Sequence, residues 1–115
     1  MQQDSALVRA LREGLEIAPG VEVALIFGSM ARGEATAHSD VDVLVLGSAS
    51  ELKVNAAMLP AGRTFGRHVH AIACKIEEFK KQMLAGESFA QEVVQSPRMA
   101  LIGQFDASIF SGSVQ

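Results

Sequence analysis

Residues 26–47 read IFGSMARGEATAHSDVDVLVLG. This stretch begins inside one short apolar run, Val21 to Phe27 (VEVALIF), and ends on a second, Val41 to Leu46. Both runs are brief and apolar with several β-branched residues, and glycine bounds the first at both ends, which marks buried strands. Gly28-Ser29 therefore stands at the end of one strand and Asp40-x-Asp42 at the start of the next, with ten residues between the two pairs. Alternate side chains of an extended strand share a face, so Asp40 and Asp42 point the same way, about 6.5 to 7 Å apart along the chain.

That geometry suits one or two hard cations. Side-by-side carboxylates in an aqueous cleft repel each other, and Mg²⁺, which also takes oxygen ligands from substrate phosphates, relieves the repulsion. Gly28-Ser29 supplies the other half. A glycine lets a phosphate approach the backbone, while the following N–H, the Ser29 hydroxyl and a helix N-terminus donate to anionic oxygens. Taken singly, Gly28 reads as a turn, Ser29 as an N-cap and SDVD as a solvated strand edge. Their joint spacing decides otherwise, because it would arise by chance in only about one chain of this length in a thousand. A Walker A loop is excluded: Gly28-x₄-Gly33 has the glycine spacing, but Glu34 stands where a lysine must reach the phosphates.

Outward from the motif, Leu7, Val8, Leu11 and Leu15 recur at helical spacing, which predicts a helix from about residue 4 to 17 with Asp4 or Ser5 as N-cap and Pro19-Gly20 as the stop. Ser29 to Gly33 reads as a short helix after the glycine turn. Ser50 caps a helix over ELKVNAAML that Pro60 ends, and AGRTFG forms a loop before a third strand at Arg67 to Cys74. Ile76, Phe79, Lys80 and Met83 resume the helical period up to Gly86; a helix at Ser88 to Gln95 and a short strand at Arg98 to Ile102 follow. This order describes an α/β or α+β domain with a mixed sheet of three or four strands.

The 115 residues, 49% hydrophobic and 20% charged with net charge −3, fit a single globular domain. No apolar run approaches the roughly 20 residues of a membrane span, and the opening MQQDSALVRALREGLEI has no basic segment followed by an apolar core. Cys74 is the sole cysteine and reads as a core residue, so a cytoplasmic location is expected. A slightly acidic chain with no Trp or Tyr lacks the basic, aromatic-rich surface that holds nucleic acid strands.

The segment FGSMARGEATAHSDVDVLVLG resembles the signature of the minimal nucleotidyltransferases of the DNA polymerase β superfamily, written GSx₁₀DxD, and matches it completely. Downstream, FGRHVHAIACKIEEFKKQMLAGESFAQEVVQSPRMALIG is similar to a branch of stand-alone domains of this kind, so the likeness spans residues 20–103 and leaves a weakly patterned tail at 104–115. The resemblance implies a nucleotidyltransferase-type mixed sheet of three to four strands with helices packed mainly on one face. It implies transfer of a nucleoside monophosphate from an NTP, ATP first among the four, to a hydroxyl, with release of pyrophosphate. Gly28 and Ser29 would hold the nucleotide's phosphates, Arg32 would lie near them, and Asp40 and Asp42 would bind Mg²⁺ or Mn²⁺ as the catalytic carboxylates. Several such domains are antitoxins that adenylylate a helical HEPN toxin, which makes a protein partner the expected acceptor.

The sequence departs from the family on the third strand. RHVHAIAC carries no acid, and His70 aligns with the third carboxylate that the family uses to hold a second metal and activate the acceptor hydroxyl. His68 and His70 share a face that alternation turns toward Asp40 and Asp42. A histidine there is a general base, a ligand for a softer metal, or simply a polar strand residue near the cleft. Two functions follow, a Mg²⁺-dependent nucleotidyltransferase or a catalytically impaired binding module of antitoxin type. Arg63, Arg67 and Lys75 flank the third strand as solvated cations or contacts to a triphosphate or acidic partner. Leu44 and Leu46 fall on the aspartates' face, so the C-terminal helices, a partner or a second copy in a homodimer must cover them.

Overall fold

The structure is a computed structural model that describes residues 2–28, 40–95 and 97–105. Its elements follow in the order α1 (Gln2–Glu16), β1 (Val21–Phe27), β2 (Val41–Gly47), α2 (Glu51–Phe65), β3 (Val69–Cys74), α3 (Ile76–Leu84), α4 (Ser88–Gln95) and β4 (Met99–Ile102). The strands form one mixed sheet in the order β3-β2-β1-β4. β1 pairs antiparallel with β2 and with β4, whereas β2 and β3 run parallel, joined by the crossover helix α2 that parallel neighbours require.

Alternation along β1 and β2 sorts the core into two layers. Ala24, Ile26, Val41, Val43 and Val45 face α1 and α2, where Leu7, Leu11, Leu15, Val54 and Met58 are buried. Leu25, Phe27, Leu44 and Leu46 face the opposite way, onto Phe79 of α3 and Ala90 and Val93 of α4. The two longer helices thus share one face, where the sequence places the helical mass, and the two short C-terminal helices close the other. They are what covers Leu44 and Leu46. Strands buried on both faces explain why β1 and β2 read as nearly continuous apolar runs.

Several boundaries differ from the sequence reading, β4 for one starting at Met99 rather than Arg98. α1 begins at Gln2, ahead of Asp4 and Ser5. β3 begins at Val69, after Arg67. α2 does not stop at Pro60 but runs through it to Phe65, ending on Gly66 in the left-handed conformation at φ 63. Pro60 deprives the helix of one backbone bond and lies on the exposed side, where water can serve the freed carbonyl. Burial of Met58 and Ala61 on either side of it holds the turn in helical form. α1 approaches α2 at Gly14, where a Cβ would stand 2.7 Å from the carbonyl oxygen of Ala57. The short helix expected at Ser29 to Gly33 lies outside the described residues.

Side chains engage part of each sheet edge. On β3, Asn55 accepts from the Ala71 N–H at 3.0 Å and donates to the Ala71 carbonyl at 3.1 Å, and Glu51 Oε2 accepts from the Ala73 N–H at 2.9 Å. On β4, Arg12 Nε donates to the Leu101 carbonyl at 2.9 Å. Strand edges left open invite pairing with other chains, and these contacts occupy some of the edge groups that would take part.

Candidate active site

The sheet register gathers four chain segments at one end. Phe27, the last residue of β1, lies opposite Asp42 of β2, and Asp42 lies beside His70 of β3 in the parallel ladder. Asp40 immediately precedes β2, and the His68 carbonyl that precedes β3 accepts from the Val41 N–H at 2.9 Å. Gly28 follows β1 with φ 84. Glycine is required there twice over: L side chains are strained at that φ, and a Cβ would stand 2.9 Å from Oδ2 of Asp42. The chain turns out of β1 directly against the carboxylate that opens β2, the juxtaposition the motif spacing implies.

Asp40 is exposed, with its Oδ1 3.5 Å from Nδ1 of His68; the two side chains retain 62% and 76% of their accessibility, so the pair is mostly solvated and contributes little to stability. Asp42 is half-buried. Burial raises its pKa above the ordinary carboxylate value; the negative charges of Asp40 and Glu92 push the same way, while His70 opposes them. A carboxylate held in that setting gains from any added positive charge. The expected face for His68 and His70 is observed, since His70 shares the register position of Asp42 and His68 that of Asp40's neighbourhood.

The face above Asp42 is made by α4. Phe89 of α4 packs edge-on against Phe27 at 5.7 Å between ring centroids, Phe79 against Phe89 at 6.4 Å, and Phe105 against Phe79 at 5.8 Å. This aromatic series seats α4 beside the end of β1 and brings the charge of Glu92 to bear on Asp42. Sequence reasoning did not name Glu92. Its only local signal is a polar position between the buried Ala90 and Val93, and nothing in that spacing reports a site fifty positions upstream.

Ser29 and Arg32, expected near the phosphates, lie outside the described residues. Of the flanking cations, Arg63 and Arg67 line the same groove as His68, while Lys75 sits at the opposite end of β3. Cys74 is half-buried, and burial together with Glu78 and Glu51 raises its thiol pKa, in keeping with a packing role. Among the described residues no three His, Cys, Asp or Glu side chains converge closely enough to hold a metal ion by themselves. Two carboxylates, Asp42 on β2 and Asp40 just before it, are what these residues offer a cation, and hard oxygen donors in that number fit Mg²⁺ or Mn²⁺ when substrate oxygens and water complete the shell.

The sequence profile of the nucleotidyltransferase domain matches residues 7–96. Among solved structures, the chain is similar in fold to a toxin-antitoxin crystallised with AMP-PNP, at 13% identity and TM-score 0.51, over 98% of this chain and 82% of that one. A candidate nucleotidyltransferase from Sulfolobus solfataricus aligns at 25% identity and TM-score 0.42 over 70% of this chain and 80% of its own. No curated protein matches the chain in sequence. No helix among the described residues is long and apolar enough to cross a membrane.

Proposed function

The chain belongs to the nucleotidyltransferase domain family, and from that premise we propose that it transfers a nucleoside monophosphate from an NTP to a hydroxyl acceptor with release of pyrophosphate. The observation that carries the reading is the pairing of Gly28 with Asp42, a bare backbone turn set against a strand-borne carboxylate. Such a turn admits a phosphate to the main chain beside the metal-binding group.

In this reading Asp40 and Asp42 are the catalytic carboxylates and hold Mg²⁺ or Mn²⁺ together with the triphosphate. The bound cation supplies charge neutralisation where the phosphates meet the carboxylates. The Gly28 turn lets the phosphates approach without a side chain intervening, Ser29 donates a hydroxyl hydrogen bond, and Arg32 offsets phosphate charge. The raised pKa of Asp42 supports the assignment, because a carboxylate disfavoured by its surroundings is stabilised when a cation arrives.

ATP is the first nucleotide to try and a protein hydroxyl the first acceptor. The fold likeness to a toxin-antitoxin solved with AMP-PNP motivates both choices, and a helical toxin of HEPN type is the partner class to test, in the cytoplasm. One observation favours a second reading. His70 lies in register beside Asp42, at the position to which the resemblance assigns a third acid. A chain that holds nucleotide yet transfers slowly, acting on its partner by contact, is what loss of that acid would produce.

Calorimetric titration of each NTP, with and without Mg²⁺, into the wild type and into Asp40→Ala/Asp42→Ala tests the site. Cation-dependent binding lost in the double variant supports the assignment. No binding of any NTP by the wild type at millimolar concentration overturns it. Labelled NTP with a candidate partner then separates transfer from contact, since inhibition that persists in the double variant counts against the enzyme.

A further inference from the structure

Helix α2 has two apolar sides. Val54, Met58 and Ala61 are buried against the sheet and α1. On the outward side Leu52, Ala56 and Leu59 follow one another at four and three residues, all exposed, with Leu52 81% and Leu59 50% accessible. A helix apolar on both sides is ordinarily buried on both. Beside the outward stripe runs a groove of about 640 Å³ between α2 and the start of β3, lined by Leu52, Ala56, Leu59, Arg63 and Val69. The neighbouring β3 edge is engaged by Asn55 and Glu51 at Ala71 and Ala73, so an occupant there docks through side chains rather than by adding a strand.

The stripe is complementary to itself. Ala56, the small residue, lies between the two leucines. An antiparallel second α2, turned about a two-fold axis at Ala56, brings each Leu52 over the other copy's Leu59 and lets the backbones approach where the alanines meet. The same antiparallel overlap opposes the two helix dipoles and turns the acidic first turn of one copy, at Glu51, toward the basic last turn of the other, at Arg63, while Glu51 Oε2 stays on the Ala73 N–H. Hydrophobic and charged contacts therefore select the same arrangement.

We propose that two copies of this chain associate through the Leu52, Ala56 and Leu59 face of α2, antiparallel about a two-fold axis at Ala56, each seating a leucine in the groove of the other. One helix per copy places the contact at the small end of specific interfaces, about 1,000 Å² in total, so the dimer is a concentration-dependent one. The proposal owes nothing to the nucleotide reading and stands or falls separately from it.

Sedimentation equilibrium of the full chain from micromolar to near-millimolar concentration tests it. The expected result is a monomer-dimer equilibrium whose dissociation constant rises at least about tenfold in Leu52→Glu and in Leu59→Glu. Leu84→Glu, at a leucine on α3 that is 77% exposed, leaves it unchanged. A second measurement avoids disruptive substitutions: in a Cys74→Ala background, Ala56→Cys forms a disulfide-linked dimer because a residue on the axis meets its own copy, while Leu84→Cys does not. A monomer throughout the range overturns the proposal. So does a dimer indifferent to both glutamate variants that gives no Ala56→Cys crosslink.

Discussion

Gly28 and Asp42 are packed so that a single added methyl group at the glycine would stand 2.9 Å from the carboxylate Oδ2. The last backbone turn of β1 and the first inward carboxylate of β2 are thus one unit, and substitution of either is felt by the other.

Gly28→Ala tests that unit. The new side chain meets both an unfavourable φ of 84 and the Asp42 carboxylate. Urea unfolding is expected to register a loss of about 1–3 kcal/mol. Calorimetry is expected to show NTP affinity falling further than this loss would cause through a smaller folded fraction, because the displaced carboxylate and the crowded turn both face the phosphates.

Asp42→Asn makes a prediction with a sign. Asp42 has a folded pKa above the ordinary value of an aspartate in an unfolded chain, so between the two values the folded chain holds more protons than the unfolded one. Stability without cations consequently falls as pH rises through that window, and the native carboxylate is a cost above it. The asparagine variant is expected to be more stable than the wild type near neutral pH by less than about 1 kcal/mol, since the group is only half-buried and water screens part of the effect, with the advantage gone in acid. Thermal melts across pH check this. Addition of Mg²⁺ with NTP is expected to raise the wild-type melting temperature and leave the variant's unchanged.

His70→Asp restores an acid at the position in register with Asp42. If the acceptor half of the site is what limits this chain, the substitution raises transfer from labelled NTP to its partner by about tenfold or more while leaving NTP affinity within a few-fold. An unchanged rate would locate the limitation elsewhere.

The strands and the motif were legible because their signals are local. VEVALIF and VDVLVL are apolar runs that only a doubly covered sheet explains, and the period of two fixes Asp40 and Asp42 on one face without knowledge of anything distant. The alternation in RHVHAIAC likewise turned both histidines the right way. What escaped depended on partners far along the chain. Pro60 reads as a stop because its missing N–H is visible in sequence, whereas the burial of Met58 and Ala61 that carries the helix past it is not. Glu92 escaped for the same reason: its bearing on Asp42 is created by Phe89 settling on Phe27, a contact between elements that no periodicity connects.

Asn55→Ala removes the clasp on β3. Ala71 would lose a hydrogen bond at its N–H and another at its carbonyl. The expected cost is about 1–3 kcal/mol by urea unfolding. Light scattering on warming is expected to rise earlier than for the wild type, as the uncovered edge begins to pair between molecules.

The position of β4 bears on the birth of the molecule. β1 is an interior strand of the sheet, yet its neighbour on one side, Met99–Ile102, is the last strand in chain order among the described residues. During synthesis β1 and β2 can pair early, but the flank of β1 that receives β4 stays bare until the other three strands and the helices between them have emerged. That late closure spans most of the sequence and is the step expected to pace folding. Until it happens, the nascent chain offers an apolar strand with an open side to whatever chaperone or sister chain reaches it first.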